Sequence, residues 1–119
     1  IGGHPDTAEG ASLSVVVAPL TRGRIPTIVK HVNTVVTPGE VVDVVVTEQG
    51  IAVNPRRGDL KEKIEAASLH VFTIEQLQQR AEALVGVPEP IRYKDRIVGV
   101  VMYRDNTIID VVREIDEDA

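Results

Sequence analysis

Apolar and polar positions change rhythm several times along the chain, and each rhythm predicts an element. Leu13 to Ala18 (Leu-Ser-Val-Val-Val-Ala) is short, mostly apolar and rich in β-branched residues, and Pro19 closes it. This predicts a strand buried on both faces, as in a parallel sheet. Arg22, Gly23, Arg24 and Pro26 follow as a basic loop. Ile28 to Val36 is β-branched again, and Pro38-Gly39 is a turn signal. Val41 to Val46 is a second buried run, with Asp43 its only charge. Thr47-Glu48-Gln49-Gly50 interrupts the pattern before Ile51-Ala52-Val53, and Asn54 and Pro55 end that strand.

The period then lengthens to that of a helix. Asp59 with Glu62 three residues on makes a capping-box pattern, and Leu60, Ile64 and Ala67 share one face. Thr73 with Gln76 makes a second box, with Phe72 and Leu77 at the staple positions around it. Ile74, Leu77, Ala81, Leu84 and Val85 form the apolar stripe, Gly86 stops the helix, and Pro88 follows. Leu69 to Phe72 fits one more short strand between the two helices. Ile97 to Tyr103 and Thr107 to Ile115 are strand-like runs around Asp105-Asn106, a pair that predicts a two-residue primed turn. The opening, with Gly2-Gly3 and Pro5, reads as irregular. The expected fold is α/β, an open, mixed, mostly parallel sheet with flanking helices that ends in a β-hairpin.

Composition narrows the function. With 119 residues the chain is one expected domain, residues 1–119, and 43% hydrophobic content supports a packed core. Thirteen basic against eighteen acidic residues disfavour a nucleic-acid duplex partner. Zero Cys removes thiolate zinc sites and Cys nucleophiles, and fits a reducing, cytoplasmic setting. No apolar run is long enough to span a bilayer, so no membrane partner is expected. The single Met is Met102 and the chain opens Ile1-Gly2-Gly3, so we expect a piece of something longer.

Four segments carry candidate chemistry. Gly2 and Gly3 let backbone N–H groups approach an oxygen-rich ligand; His4 can donate to a carboxylate or carbonyl, and Asp6 can orient it. The alternative is a cut end with a surface His. Glu48 follows a buried strand, where open α/β sheets place ligands, and Gly50 permits a sharp turn there. Glu48 can serve as acid, base, nucleophile or acceptor, or it is a solvated bend residue. Asn54-Pro55-Arg56-Arg57 precedes a helix, and its arginines can fork onto a carboxylate or phosphate. With Arg22 and Arg24 they suggest an anionic small ligand, against the alternative of ordinary surface charge. His31 and His70 lack metal-ligand spacing, and no metal is expected. No G-x-S-x-G, G-x-G-x-x-G or G-K-[ST] motif is present.

Taken together, these strings resemble the alpha subunit of bacterial citrate lyase. The likeness runs from Gly2-Gly3-His4-Pro5-Asp6-Thr7-Ala8 through Val17-Ala18-Pro19-Leu20 and Arg22-Gly23-Arg24-Ile25-Pro26. It continues in Thr37-Pro38-Gly39, Val42-Asp43-Val44, Gly50-Ile51-Ala52-Val53-Asn54-Pro55-Arg56, Thr73 to Leu77, and Tyr103 to Arg113. One departure is Asp105-Asn106, where the family often has Asp-Gly; it touches the hairpin turn alone.

The resemblance implies a citrate coenzyme A transferase that exchanges acetyl for citryl on the phosphopantetheine-derived thioester of an acyl-carrier subunit. A separate lyase subunit then releases oxaloacetate. It implies half of a coenzyme A transferase-type fold, here the C-terminal portion of a longer, homo-oligomeric subunit partnered by beta (lyase) and gamma (carrier) subunits, with no covalent cofactor of its own. It also places a nucleophilic Glu upstream of residue 1. Gly2, Gly3, His4, Asp6, Glu48, Gly50, Asn54 and Arg56 become the expected substrate- or thioester-binding residues, with Glu48 in a supporting role. A non-catalytic scaffold that docks the other subunits is the alternative.

Overall fold

The computed structural model describes residues 2–118; Ile1, on which the expectation of a longer parent partly rests, lies outside them. The chain begins with a helix, α1 (His4–Gly10), rather than the irregular opening expected. Pro5 explains the difference, because in the first turn of a helix the missing N–H would have been unpaired anyway. Asp6 complements the same end, and the Thr7 hydroxyl donates to the Gly3 carbonyl.

Four strands make the main sheet: β1 (Val15–Val17), β4 (Val44–Thr47), β5 (Gly50–Val53) and β6 (Val71–Phe72), in the order β1-β4-β5-β6. Strands β1/β4 and β5/β6 pair in parallel, whereas β4/β5 is an antiparallel hairpin. The sheet is therefore mixed, as expected. Strand β1 is not buried on both faces, however. Val15 and Val17, which share a face, are 44% and 77% exposed.

Between β1 and β4 lies a small ribbon, β2 (Thr21–Arg22) with β3 (Ile25–Pro26), followed by a 3-10 turn at Gly39–Val41. The β-branched run Ile28 to Val36 forms no strand. Its polar groups bond elsewhere: the Thr34 hydroxyl donates to the Val111 carbonyl and the Val35 N–H to Asp110 Oδ2 at 2.7 Å.

Helix α2 (Gly58–Ala66) starts at Arg57, so the Asp59/Glu62 box does not form. Asp59 instead sits inside the first turn and accepts from Arg57 Nε and Nη2 at 3.2 and 3.3 Å. Helix α3 (Ile74–Val85) has the expected box in full: Gln76 N–H donates to Thr73 Oγ1 and Thr73 N–H to Gln76 Oε1. Gly86, at φ 82°, ends it. Its stripe is half covered. Leu77 and Ala81 are buried, whereas Ile74 and Leu84 face outward.

Leu20, Ala52, Leu77 and Ala81 form the core, with Ile28 and Phe72 packed against it. Gly50 is required there, because a Cβ would fall 2.6 Å from Phe72 Cε2 and 3.3 Å from Leu77 Cδ2.

The chain ends in a long hairpin, β7 (Tyr93–Met102) with β8 (Ile108–Ile115). Its turn is not the two-residue primed type. Asn106 N–H donates to the Tyr103 carbonyl and Tyr103 N–H to the Thr107 carbonyl, and Asn106 (φ 67°) has positive φ while Asp105 does not. That is a three-residue loop, a β-turn followed by a left-handed residue.

Exposed area amounts to 8500 Å², against roughly 6,300 Å² for a compact monomer of this mass. The radius of gyration is 16.2 Å, against about 13.5 Å for a compact domain of this length.

Candidate functional site

The expected site residues fall into two groups at opposite ends of the β4–β5 hairpin. At the turn end, Thr47 pairs with Gly50 across Glu48-Gln49, and the Thr47 hydroxyl accepts from the N–H groups of Gln49 and Gly50. The Glu48 carboxylate reaches across to the Leu20 N–H, at 2.9 Å from Oε2 and 3.3 Å from Oε1. It thereby fixes the segment that carries the fully buried Leu20. Gly50 at this end serves packing against Phe72, as shown above.

At the other end, Asn54 ties its own turn to the Gly39–Val42 segment. Its Nδ2 donates to the carbonyls of Val42 (3.0 Å) and Gly39 (3.3 Å), and its Oδ1 accepts from the Arg56 N–H. Arg56 points to solvent and makes a loose 3.7 Å pair with Glu40, both side chains about two-thirds exposed. His4 belongs to this end as well. Its Nδ1 lies 3.2 Å from Thr37 Oγ1, beside the turn at Gly39–Val41. Asp6, expected to orient His4, instead gives its backbone carbonyl to Arg104 Nη1 at 2.8 Å.

With four-residue strands between them, the two ends stand on the order of 10 Å apart. His4, Asn54 and Arg56 are thus gathered on one side, and Glu48 and Gly50 stand apart from them. Arg22 and Arg24 are exposed on the β2–β3 ribbon and enter no ion pair among the described residues.

Sequence reasoning passed over the strongest charge arrangement of this region. Asp43, almost buried, accepts the Ser14 N–H on Oδ2 (2.8 Å) and pairs through Oδ1 with Arg57 Nη1 (3.1 Å). Arg57 also donates to the Ser12 carbonyl and forks onto Asp59. The Asp59 hydrogen bonds, then Asp43, hold the Arg57 guanidinium above its ordinary pKa, and Arg57 in turn holds the Asp59 carboxyl below its own. A lone acid inside an apolar run was the available signal, since a buried charge must find a partner.

A cleft of about 640 Å³ opens beside Asn54 and Pro55. Val44, Val53, Val71 and Phe72 contribute apolar wall, and Lys61 and Glu75 bring charge to it. Among the described residues no group of three His, Asp or Glu gathers as metal ligands. Nor is any helix long and apolar enough to cross a membrane.

Residues 1–115 match the family model of the citrate lyase alpha subunit (CitF). The chain belongs to the citrate lyase alpha subunit family. It is 57% identical over 114 residues to the citrate lyase alpha chain of Klebsiella pneumoniae, covering 96% of this chain and 22% of that one. It is 53% identical over 116 residues to the Escherichia coli (strain K12) alpha chain, covering 98% and 23%. A crystal structure described as the citrate lyase alpha subunit in complex with citrate, from Streptococcus mutans, superposes with a TM-score of 0.93 at 56% identity. It covers 98% of this chain and 23% of that one. The chain therefore spans less than a quarter of the length of these citrate lyase relatives. The matched stretch takes in both ends of the β4–β5 hairpin and the C-terminal hairpin.

Proposed function

We propose that this chain is the C-terminal portion of a citrate lyase alpha subunit acting as a citrate coenzyme A transferase in the cytoplasm. The observation that carries the reading is identity of 50–57% to citrate lyase alpha chains over nearly the whole chain. In the exchange, a citrate carboxylate oxygen leaves with the acetyl group as acetate, and the thioester sulfur passes from acetyl to the citryl carbonyl carbon. No electrons are exchanged, so no redox cofactor is demanded of this chain.

The end of the sheet with His4, Asn54 and Arg56 suits the carboxylate side of that chemistry. Arg56 has a guanidinium held loosely enough to turn to a tricarboxylate, and Gly2-Gly3 offers unshielded backbone N–H groups for a developing oxyanion. Glu48, at the opposite end of the hairpin, supports the sheet through the Leu20 N–H and not the site directly. The nucleophilic Glu, in this reading, comes from a preceding half of a coenzyme A transferase-type fold. The partners are the beta (lyase) and gamma (acyl-carrier) subunits and a second copy of the alpha subunit.

Exchange of acetyl for citryl on the carrier thioester, measured with the whole subunit, tests the reading. Arg56→Ala should raise the KM for citrate several-fold, while Arg56→Lys retains part of the affinity. Unchanged citrate kinetics in both variants would remove Arg56 and its neighbours from the site. The 8500 Å² of exposed surface favours a second reading, a scaffold docking the other subunits. Loss of assembly with intact exchange on deletion of residues 116–118, together with silent Arg56 variants, would decide for it.

A further inference from the structure

Helix α1 is seven residues long, buries one side chain, Ala8, and has no side-chain cap at Gly3. A helix of that length does not hold itself. It packs against the Gly39–Val41 turn, and a second support comes from almost a hundred residues away. Arg104, in the tip of the β7–β8 hairpin, donates from Nη1 to the Asp6 carbonyl at 2.8 Å, and its Nε lies 3.6 Å from Glu9 Oε2. Gly10 leaves room for that guanidinium, since a Cβ there would stand 3.3 Å from Arg104 Nη1. Next to it the Tyr103 hydroxyl is buried against Glu9 of the helix. Burial, then the neighbouring Glu9 carboxylate, raise its pKa.

We propose that the Tyr103-Arg104 tip of the C-terminal hairpin is a positioning element for Gly2-Gly3-His4, holding α1 so that His4 meets Thr37 beside Asn54 and Arg56. This rests on the reading that His4 belongs to the citrate-handling end of the sheet. Arg104 touches no substrate in this account; it acts through the helix. Misplacement of a substrate-contacting group by about 1 Å is enough to lower turnover by orders of magnitude.

The test is a kinetic double-mutant cycle in the whole subunit, assembled with its carrier, reading acetyl-for-citryl exchange. His4→Ala and Arg104→Ala should each lower kcat/KM roughly tenfold or more, and the double variant should be no worse than His4→Ala alone. Arg104→Lys should recover part of the loss. Arg113→Ala, which removes a hydrogen bond to the Asp95 carbonyl within the hairpin, should leave exchange unchanged. Additive losses, or an Arg104 effect matched by Arg113→Ala, would mean general hairpin damage and overturn the inference. A harmful His4→Ala with a silent Arg104→Ala overturns the inference and spares the site reading; a silent His4→Ala overturns both. If Arg104→Ala fails to assemble, Glu9→Gln tests the same contact, and amide exchange in α1 must rise while that in β4 and β5 stays put.

Discussion

Two antiparallel hairpins in this molecule are stabilised in different ways. The β4–β5 hairpin is short, turns on two residues, and lies within a four-stranded sheet with β1 and β6 on its flanks. Ala52 and Gly50 face α3, where Leu77 and Ala81 close the core. The β7–β8 hairpin is twice as long, has three register shifts and forms a separate two-stranded sheet. Ile97, Val98, Val100, Met102, Ile108 and Ile115 on it are all at least half exposed. A two-stranded ribbon is marginal by itself in water, and apolar side chains on one need a covering surface. The first hairpin is therefore stable through what this chain supplies. The second carries the surface by which, in our reading, the chain joins the rest of its subunit. Polar contacts tie it to the body: Asp110 to the Val35 N–H, Thr34 to the Val111 carbonyl, and Arg104 to α1.

Substitutions should separate the two. The largest effect of a single change is expected from Leu77→Ala, which empties a fully buried position of the core and should cost about 2–5 kcal/mol in denaturant unfolding of the whole subunit. Paired changes Met102→Thr and Ile108→Thr sharpen the comparison. In the isolated chain they should shift stability by no more than about 0.5 kcal/mol, since both side chains are 59% exposed. In the whole subunit, where the ribbon is covered, the loss should reach about 1.5–3 kcal/mol per side chain. Gly50→Ala should cost about 1–3 kcal/mol through the Phe72 ring, by overpacking and not by loss of a ligand contact.

A smaller effect concerns acid. The N–H groups of Val35 and Val111 hold the Asp110 carboxyl below its ordinary 3.8. A depressed folded-state pKa gives stability that is present above the unfolded value and disappears as pH falls through the folded one. Acidification below about pH 4 should therefore loosen the 28–36 segment from the hairpin, and Asp110→Asn should remove that pH dependence, read as amide exchange at Val35.

What the sequence revealed follows the same division. The Thr73/Gln76 box, the Gly86 stop, the short strand before α3 and the terminal hairpin are local patterns, and local patterns are legible in one dimension. Ile28 to Val36 is β-branched yet forms a loop, because the Asp110 and Val111 contacts that hold it lie some 75 residues away. Asp59 looked like a cap because its partner Arg57 belongs to a network centred on Asp43. His4, Asn54, Arg56 and Glu48 could be picked out as candidates one residue at a time. Their separation was not readable, because it depends on β4 and β5 running antiparallel, which sends Glu48 and Asn54 to opposite ends.

We propose that the chain is one wall of a larger alpha subunit, finished at its sheet and unfinished at its ribbon. Amide hydrogen exchange, compared between the isolated chain and the whole subunit, tests it directly. The account predicts slow exchange in β4 and β5 in both samples, and exchange in β7 and β8 that is fast in the isolated chain and slow in the whole. Equal protection of the ribbon in the two samples would contradict it.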